Sequence, residues 1–268
     1  MGLRSLSLAA AGLIILSLPV HAQDTASTVS FDGVGFTFDS TLGTSANITD
    51  VPAQRPHRNG IGAPNAAHLA FTLYGPRAEA SRIPRPLDSP GVARFYRVAD
   101  LGRYEWASAQ LQALTSLLED RPDLASHMTP GADGSIDPLP FIVDDSAAQA
   151  LDARARYVDT PELAGVAYLA AFRQDVSPFT AGDFWYTFQG ISTDGTWYVA
   201  VDFVIEADMF PAKVSPRQAR RLTNARRWAR YVTESIGTLN GAGPDAFDPP
   251  LTSIDALVQS ITFGDAAP

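Results

Sequence analysis

Alternation of apolar and polar positions is sharpest between Phe184 and Ile205, where two runs of aromatic and β-branched residues flank Thr193-Asp194-Gly195-Thr196. Period-two alternation interrupted by an Asp-Gly pair predicts a β-hairpin, with Ser192 opposite Trp197 and Phe184 opposite Ile205. The expected turn is type I′, whose two central residues both need positive φ. This register divides the side chains unequally. One face gathers Phe184, Tyr186, Phe188, Trp197, Val199, Val201, Phe203 and Ile205. It is the expected core, at about 1.5–3 kcal/mol for each large apolar side chain buried. The opposite, mixed face carries Trp185, Thr187, Gln189, Ile191, Tyr198, Ala200, Asp202 and Val204.

Elsewhere the same period predicts a first strand over Phe31–Asp39, with Phe36 and Phe38 on one face, and further strands at His68–Tyr74, Gly91–Val98, Ala153–Val158 and Val166–Gln174. Trp106, Leu111, Leu114, Leu117 and Leu118 fall at helical spacing, which predicts a helix over Tyr104–Glu119 ended by Arg121-Pro122. Ser215-Pro216-Arg217-Gln218 reads as a capping box with proline at the first helical position. It heads a long predicted helix with the stripe Ala219, Leu222, Ala225, Ala229, Val232 and Ile236, for which Gly237 can supply the left-handed stop. A linker over Leu239–Pro250 leads to a short helix, Ser253–Val258, and a last extended segment, Ser260–Phe263.

Local hairpins with a few helices between and after them predict an α+β fold, a twisted antiparallel β-sheet covered by helices. Proline and glycine interrupt every period near 51–64 and 76–90, so both stretches read as loops. Residues 23–268 are expected to form a single domain, with the region near residue 80 the one place where a small N-terminal unit could separate.

The start of the chain follows a different rule. A short basic stretch, Met1 to Arg4, precedes an apolar run over Ser5–Val20 and then Val20-His21-Ala22. This predicts a secretory signal peptide over 1–22, cleaved before Gln23. The apolar run is shorter than the roughly 20 residues of a spanning helix and contains Ser17 and Pro19. The expected product is an exported protein, periplasmic or extracellular, with no transmembrane segment after cleavage.

Composition narrows the chemistry. Of 268 residues 46% are hydrophobic, enough for a sizeable core, and there is no cysteine. Without thiols there is no disulfide framework, Cys nucleophile, thiolate zinc site or Cys-linked lipid anchor. Cleavage after Ala22 removes one Arg and leaves 19 basic against 29 acidic side chains, a net charge of −10. A general nucleic-acid binder is not expected at that charge. Only Lys213 among the 20 basic residues is lysine.

Leu139-Pro140-Phe141, Ala147-Ala148-Gln149, Gly165-Val166-Ala167-Tyr168-Leu169 and above all Tyr186-Thr187-Phe188-Gln189-Gly190 through Asp194-Gly195 to Tyr198-Val199 resemble a group of exported bacterial proteins of unknown function, many of them lipoproteins. The resemblance spans roughly residues 137–205, with the opening Phe31–Phe38 as weaker support. The chain departs from the group in having no lipobox cysteine, which speaks against lipid anchoring, and in carrying Ala167 where an Arg is usual. The order of strands, long helix, last helix and terminal strand is also similar to the PsbP-like α/β/α sandwich of small exported or lumenal proteins. Neither resemblance implies a reaction.

Catalytic patterns are weak. There is no Gly-x-Ser-x-Gly and no His-Glu-x-x-His, and after cleavage the histidines are His57, His68 and His127. Asp133-Gly134-Ser135-Ile136-Asp137 resembles part of a calcium loop but lacks the ligand series of an EF-hand and reads better as a plain turn. On the mixed hairpin face, Trp185, Gln189, Tyr198 and Asp202 could orient a polar ligand, unless an amphipathic helix covers them. The long helix carries Arg217, Arg220, Arg221, Arg226, Arg227 and Arg230, a candidate surface for an anionic lipid headgroup, a phosphorylated glycan or an acidic partner unless they pair with the protein's own carboxylates. The expected function is a non-enzymatic binding or interaction module of the bacterial envelope, without cofactor, whose partner is an envelope protein, glycan or anionic lipid headgroup. The alternative is a secreted hydrolase using carboxylates on a glycan or peptide.

Overall fold

A computed structural model describes residues 26–54, 65–75, 91–143, 147–222 and 224–264. The expected signal peptide, His57 and most of the two Pro-rich loops lie outside the described residues.

The strands are β1 Ser27–Phe31, β2 Val34–Phe38, β3 Ser45–Val51, β4 His68–Tyr74, β5 Gly91–Arg97, β6 Ala148–Asp159, β7 Leu163–Arg173, β8 Phe184–Ser192, β9 Trp197–Ala207, β10 Phe247–Asp248 and β11 Thr262–Phe263. The helices are α1 Val98–Leu101, α2 Glu105–Asp120, α3 Pro216–Ala219, α4 Ala225–Gly241 and α5 Leu251–Gln259. The main sheet has the order β3-β4-β5-β9-β8-β7-β6, antiparallel throughout, with β10 paired to β9, and a small second sheet has the order β1-β2-β11. An α+β fold built on an antiparallel sheet is therefore what the chain forms. β4 and β5, on either side of residues 76–90, are hydrogen-bonded neighbours in this sheet.

Each face of the main sheet has its own core. The apolar hairpin face, including Phe184, Tyr186, Phe188, Val199, Val201 and Phe203, packs against Phe36 and Phe38 of the small sheet, Trp228, Val232 and Ile236 of α4, and Ile254 and Leu257 of α5. The mixed face, with Tyr168, Ala170, Tyr198 and Ala200, is covered by Leu114 and Leu117 of α2 and by Leu139 and Ile142.

The hairpin register is as read, Phe184 opposite Ile205 and Ile191 opposite Tyr198. Its turn differs. Thr193–Thr196 form a four-residue connection in which Gly195 alone has positive φ, closed by Gly195 N–H donating to Ser192 O at 2.8 Å and by Asp194 accepting from Ser192 and Thr196. A two-residue turn with positive φ at both centres occurs instead at Asp32-Gly33, joining β1 to β2 inside what reads as one strand.

The long helix is also corrected. Ser215 and Gln218 do make their capping box, but it heads only α3 and a 3₁₀ turn at Arg220–Leu222. Asn224 then starts α4, its side chain accepting from the backbone of Arg226 and Arg227. The buried stripe is Trp228, Val232, Ser235, Ile236 and Leu239, whereas Ala225 is exposed. The indole of Trp228 buries far more apolar surface than an alanine and decides which way the helix rolls. Gly237 is not the stop, and α4 continues to Gly241 because β6 supplies a cap from another part of the chain. At a bulge in β6, Arg154 has φ +54, and its guanidinium donates to Leu239 O and Ala242 O at 3.1 and 2.6 Å.

Candidate ligand-binding cleft

Between α2 and the ends of β6 and β7 runs a segment without regular secondary structure, 138–143. Its backbone polar groups have no ladder to join, so side chains from the surrounding elements meet them. Leu139 N donates to Asp152 Oδ2 at 3.0 Å, Phe141 N to Gln110 Oε1 at 2.9 Å and Ile142 N to Gln189 Oε1 at 3.3 Å. Pro140 O accepts from Tyr168 Oη–H at 2.7 Å, and Ile142 O from Trp106 Nε1–H at 3.0 Å.

This strap explains the mixed hairpin face. Gln189, Tyr198 and Asp202 do come together, but beneath the strap and α2 rather than at an open surface, and all three are buried. Tyr198 Oη–H donates to Gln189 Oε1, Gln189 Nε2 to Thr187 Oγ1, and Thr187 Oγ1 to Asp202 Oδ1, each at 2.8 Å. Arg94 completes the row with a 2.7 Å ion pair to Asp202 Oδ2. Burial pushes the Asp202 carboxyl upward against the opposing pull of Arg94 and Thr187. Trp185 stands apart, half-buried, its ring edge-to-face with Phe172 at 6.5 Å. Gln189 is the member of this set that bonds the strap, through Ile142 N, with Tyr198 bonded to Gln189 in turn, and the cleft is lined by other strap residues, among them Pro140 and Phe141.

That surface is a cleft of about 770 Å³ walled by α2, the strap, the start of β6 and the end of β7 with the residues after it. Trp106 and Val176, 41% and 43% exposed, offer apolar surface at its walls, and the rings of Phe141 and Phe172 meet at 4.7 Å within it. Gly134 secures the wall toward α4. Its φ of +84 excludes most side chains, and a Cβ there would lie 2.4 Å from Trp228 Cδ1.

Among the described residues, the acidic groups around the cleft fall into two kinds. Asp133 and Asp175 line it, and each places Oδ1 to accept from the backbone N–H and hydroxyl of a serine two residues on, Ser135 and Ser177. Those hydrogen bonds hold both carboxyls below the ordinary value, so they are anions at neutral pH. The Asp133–Asp137 stretch is accordingly a serine-closed turn, with Gly134 N–H donating to Gly131 O at 2.9 Å. Asp152 is the opposite case. Enclosed behind the strap, it accepts from Leu139 N and from Gln149 Nε2, yet burial pushes its pKa up to about 7.

Arg173 reaches the cleft, but its Nη2 is committed to Asp183 and Pro178 O. His68 is buried, with Nδ1 2.9 Å from Ala66 O, and His127 lies with Nδ1 2.8 Å from Asp137 O. Neither lines the cleft. No group of three His, Asp or Glu among the described residues could hold a metal ion.

None of the helix arginines is among the described residues that line the cleft, although Trp228, next to Arg227, is. Arg220 is on the exposed 3₁₀ turn, and Arg226, Arg227 and Arg230 are exposed on α4. Of these α4 residues only Arg230 has an ion pair among the described residues, with Glu234 at 2.7 Å. Arg221 has its backbone in the same turn. No helix among the described residues is long and apolar enough to cross a membrane.

Sequence reasoning missed Gln110, Phe141, Phe172 and Asp152. Asp152 had a visible signal, a carboxylate flanked by Leu151 and Ala153 within a strand. The others line a wall whose existence depends on where the strap crosses the sheet. No protein-family model matches the chain, and none of the curated proteins matches it in sequence. The fold and site define the class of protein directly: an α+β protein on an antiparallel sheet, with an aromatic, acid-rimmed cleft built on an internally bonded strap.

Proposed function

We propose that the protein is an exported, non-enzymatic binding module of the bacterial envelope and that its ligand occupies this cleft. The observation that carries the reading is the sorting of the carboxyls around the cleft among the described residues. A general acid needs a pKa near the working pH and access to the reacting group. Asp152 has the pKa without the access, while Asp133 and Asp175 have the access and stay ionised. Such an arrangement suits recognition, with aromatic plates supplying flat apolar contact and fixed anions accepting hydrogen bonds from a hydroxyl-rich or cationic ligand. An envelope glycan or a peptide has that chemistry. The signal-like Met1–Ala22 segment and the resemblance to exported bacterial proteins support the address.

The test is thermal denaturation of the exported protein against envelope glycan fragments and short peptides. A ligand at 100 times its Kd adds about 2.7 kcal/mol, a rise of very roughly 5–10 °C. Trp106→Ala and Val176→Asp are expected to remove that rise. Turnover of a glycan or peptide, abolished by replacing one carboxylate, would instead make the protein a hydrolase.

A further inference from the structure

A second concavity, of about 410 Å³, lies between the segment after β9, Pro178 and the exposed flank of α4. Its walls are apolar, formed by Met209, Phe210, Val214, Leu222 and the ring of Tyr231. The polar groups that reach it are already engaged. Tyr231 Oη accepts from Phe179 N at 2.7 Å, Glu234 is paired with Arg230, and Thr238 Oγ1 donates to Glu234 O.

The charge bordering this groove is mostly positive, and the carboxylate that lines it, Glu234, is already paired with Arg230. From Met209 to Thr233 the chain has no Asp or Glu, and between Lys213 and Arg230 it has seven basic residues, in a protein of net charge −9. Three of them flank the groove. Lys213 adjoins Val214, Arg217 adjoins Gln218 of the wall, and Arg227 stands one helical turn before Tyr231 on the same face of α4. All three are exposed, and none has an ion pair among the described residues. An apolar groove bordered by unpaired cations is complementary to a molecule with one greasy chain and one anionic head.

We infer that this groove takes the chain of a single-chain anionic amphiphile, with Lys213, Arg217 and Arg227 meeting its head group. The inference does not rest on the cleft being a ligand site. Burial of each methylene contributes about 0.8 kcal/mol, and the rim cations add an attraction that salt weakens.

The test is titration of monomeric sodium laurate into the full exported protein, with dodecyl maltoside as the uncharged comparison. Laurate is expected to bind and the maltoside not. Raising salt to about 0.3 M is expected to weaken binding, and Arg217→Gln with Arg227→Gln to weaken it about 10-fold. Val214→Glu, which puts an unpaired carboxylate on the apolar wall, is expected to abolish binding, while Trp106→Ala leaves it unchanged. Both arginine substitutions are at the surface and leave the fold intact, so their result stands even where Val214→Glu unfolds the protein. Equal affinity in the arginine variant, or loss on Trp106→Ala alone, would overturn the inference. So would an absence of laurate binding, including the case in which the protein sediments with phosphatidylglycerol vesicles but ignores monomeric laurate, which would assign the cations to a membrane surface.

Discussion

Asp152→Asn isolates the cost of enclosing a carboxyl behind the strap. Asp152 is fully buried, and burial moves its pKa from 3.8 to about 7. That change corresponds to about 4 kcal/mol between the two protonation states. Between pH 4 and pH 7 the folded protein keeps a proton that the unfolded chain has released. Stability therefore falls as pH rises through this window and levels off above about 7. Asparagine is neutral throughout, and its Oδ1 can still accept from Leu139 N. Its Nδ2 would meet Gln149 Nε2, so the Gln149 amide has to turn over, at a cost of about 1 kcal/mol. The variant should thus be slightly less stable than the natural protein near pH 4 and about 3 kcal/mol more stable near pH 8, a Tm higher by roughly 6–12 °C. Urea denaturation of both proteins at fixed ionic strength across pH 4–8 measures the difference and cancels every other titrating group. A difference that stays constant with pH would refute the reasoning, because it would mean that Leu139 and Gln149 keep the carboxylate ionised inside the fold.

Four further substitutions test other parts of the structure. Gly134→Ala places a side chain at φ +84 and a Cβ against Trp228, so a loss of about 2–3 kcal/mol is expected by chemical denaturation, with weaker binding in the cleft. Asp202→Ala leaves Arg94 and Thr187 without their acceptor, and a loss of about 3 kcal/mol is expected. A loss under 1 kcal/mol would show that water replaces the carboxylate. Asn224→Ala removes the cap of α4 and should cost about 1 kcal/mol, whereas Ser215→Ala, which caps only the short α3, should cost distinctly less.

The site was less legible than the fold, and the reason lies in what each depends on. Gln189, Tyr198 and Asp202 were identifiable as polar residues sharing a face of a hairpin, since side-chain alternation is a property of a few neighbouring residues. Whether such a face is open or covered depends on an element far away in sequence. Here the cover is 138–143, which has no periodicity of its own and is held by Asp152, Gln110, Gln189, Tyr168 and Trp106 one bond at a time. The same holds for α4, whose C-terminal end depends on Arg154, more than eighty residues earlier in the chain.

The sequence by itself determined the elements whose signals are local: the register of β8 with β9, helix α2 to within a residue at each end, the antiparallel α+β class, and the exclusion of thiol chemistry. Only the tertiary structure decided that α2 and the strap take the mixed face while α4 and α5 take the apolar one, and that Asp152 is sealed while Asp133 and Asp175 face the cleft. Local pattern states how much apolar surface an element must hide. Which partner hides it, and which carboxyl loses its water as a result, follows from packing all the elements together, because burial and desolvation are properties of the assembled layers rather than of any one segment.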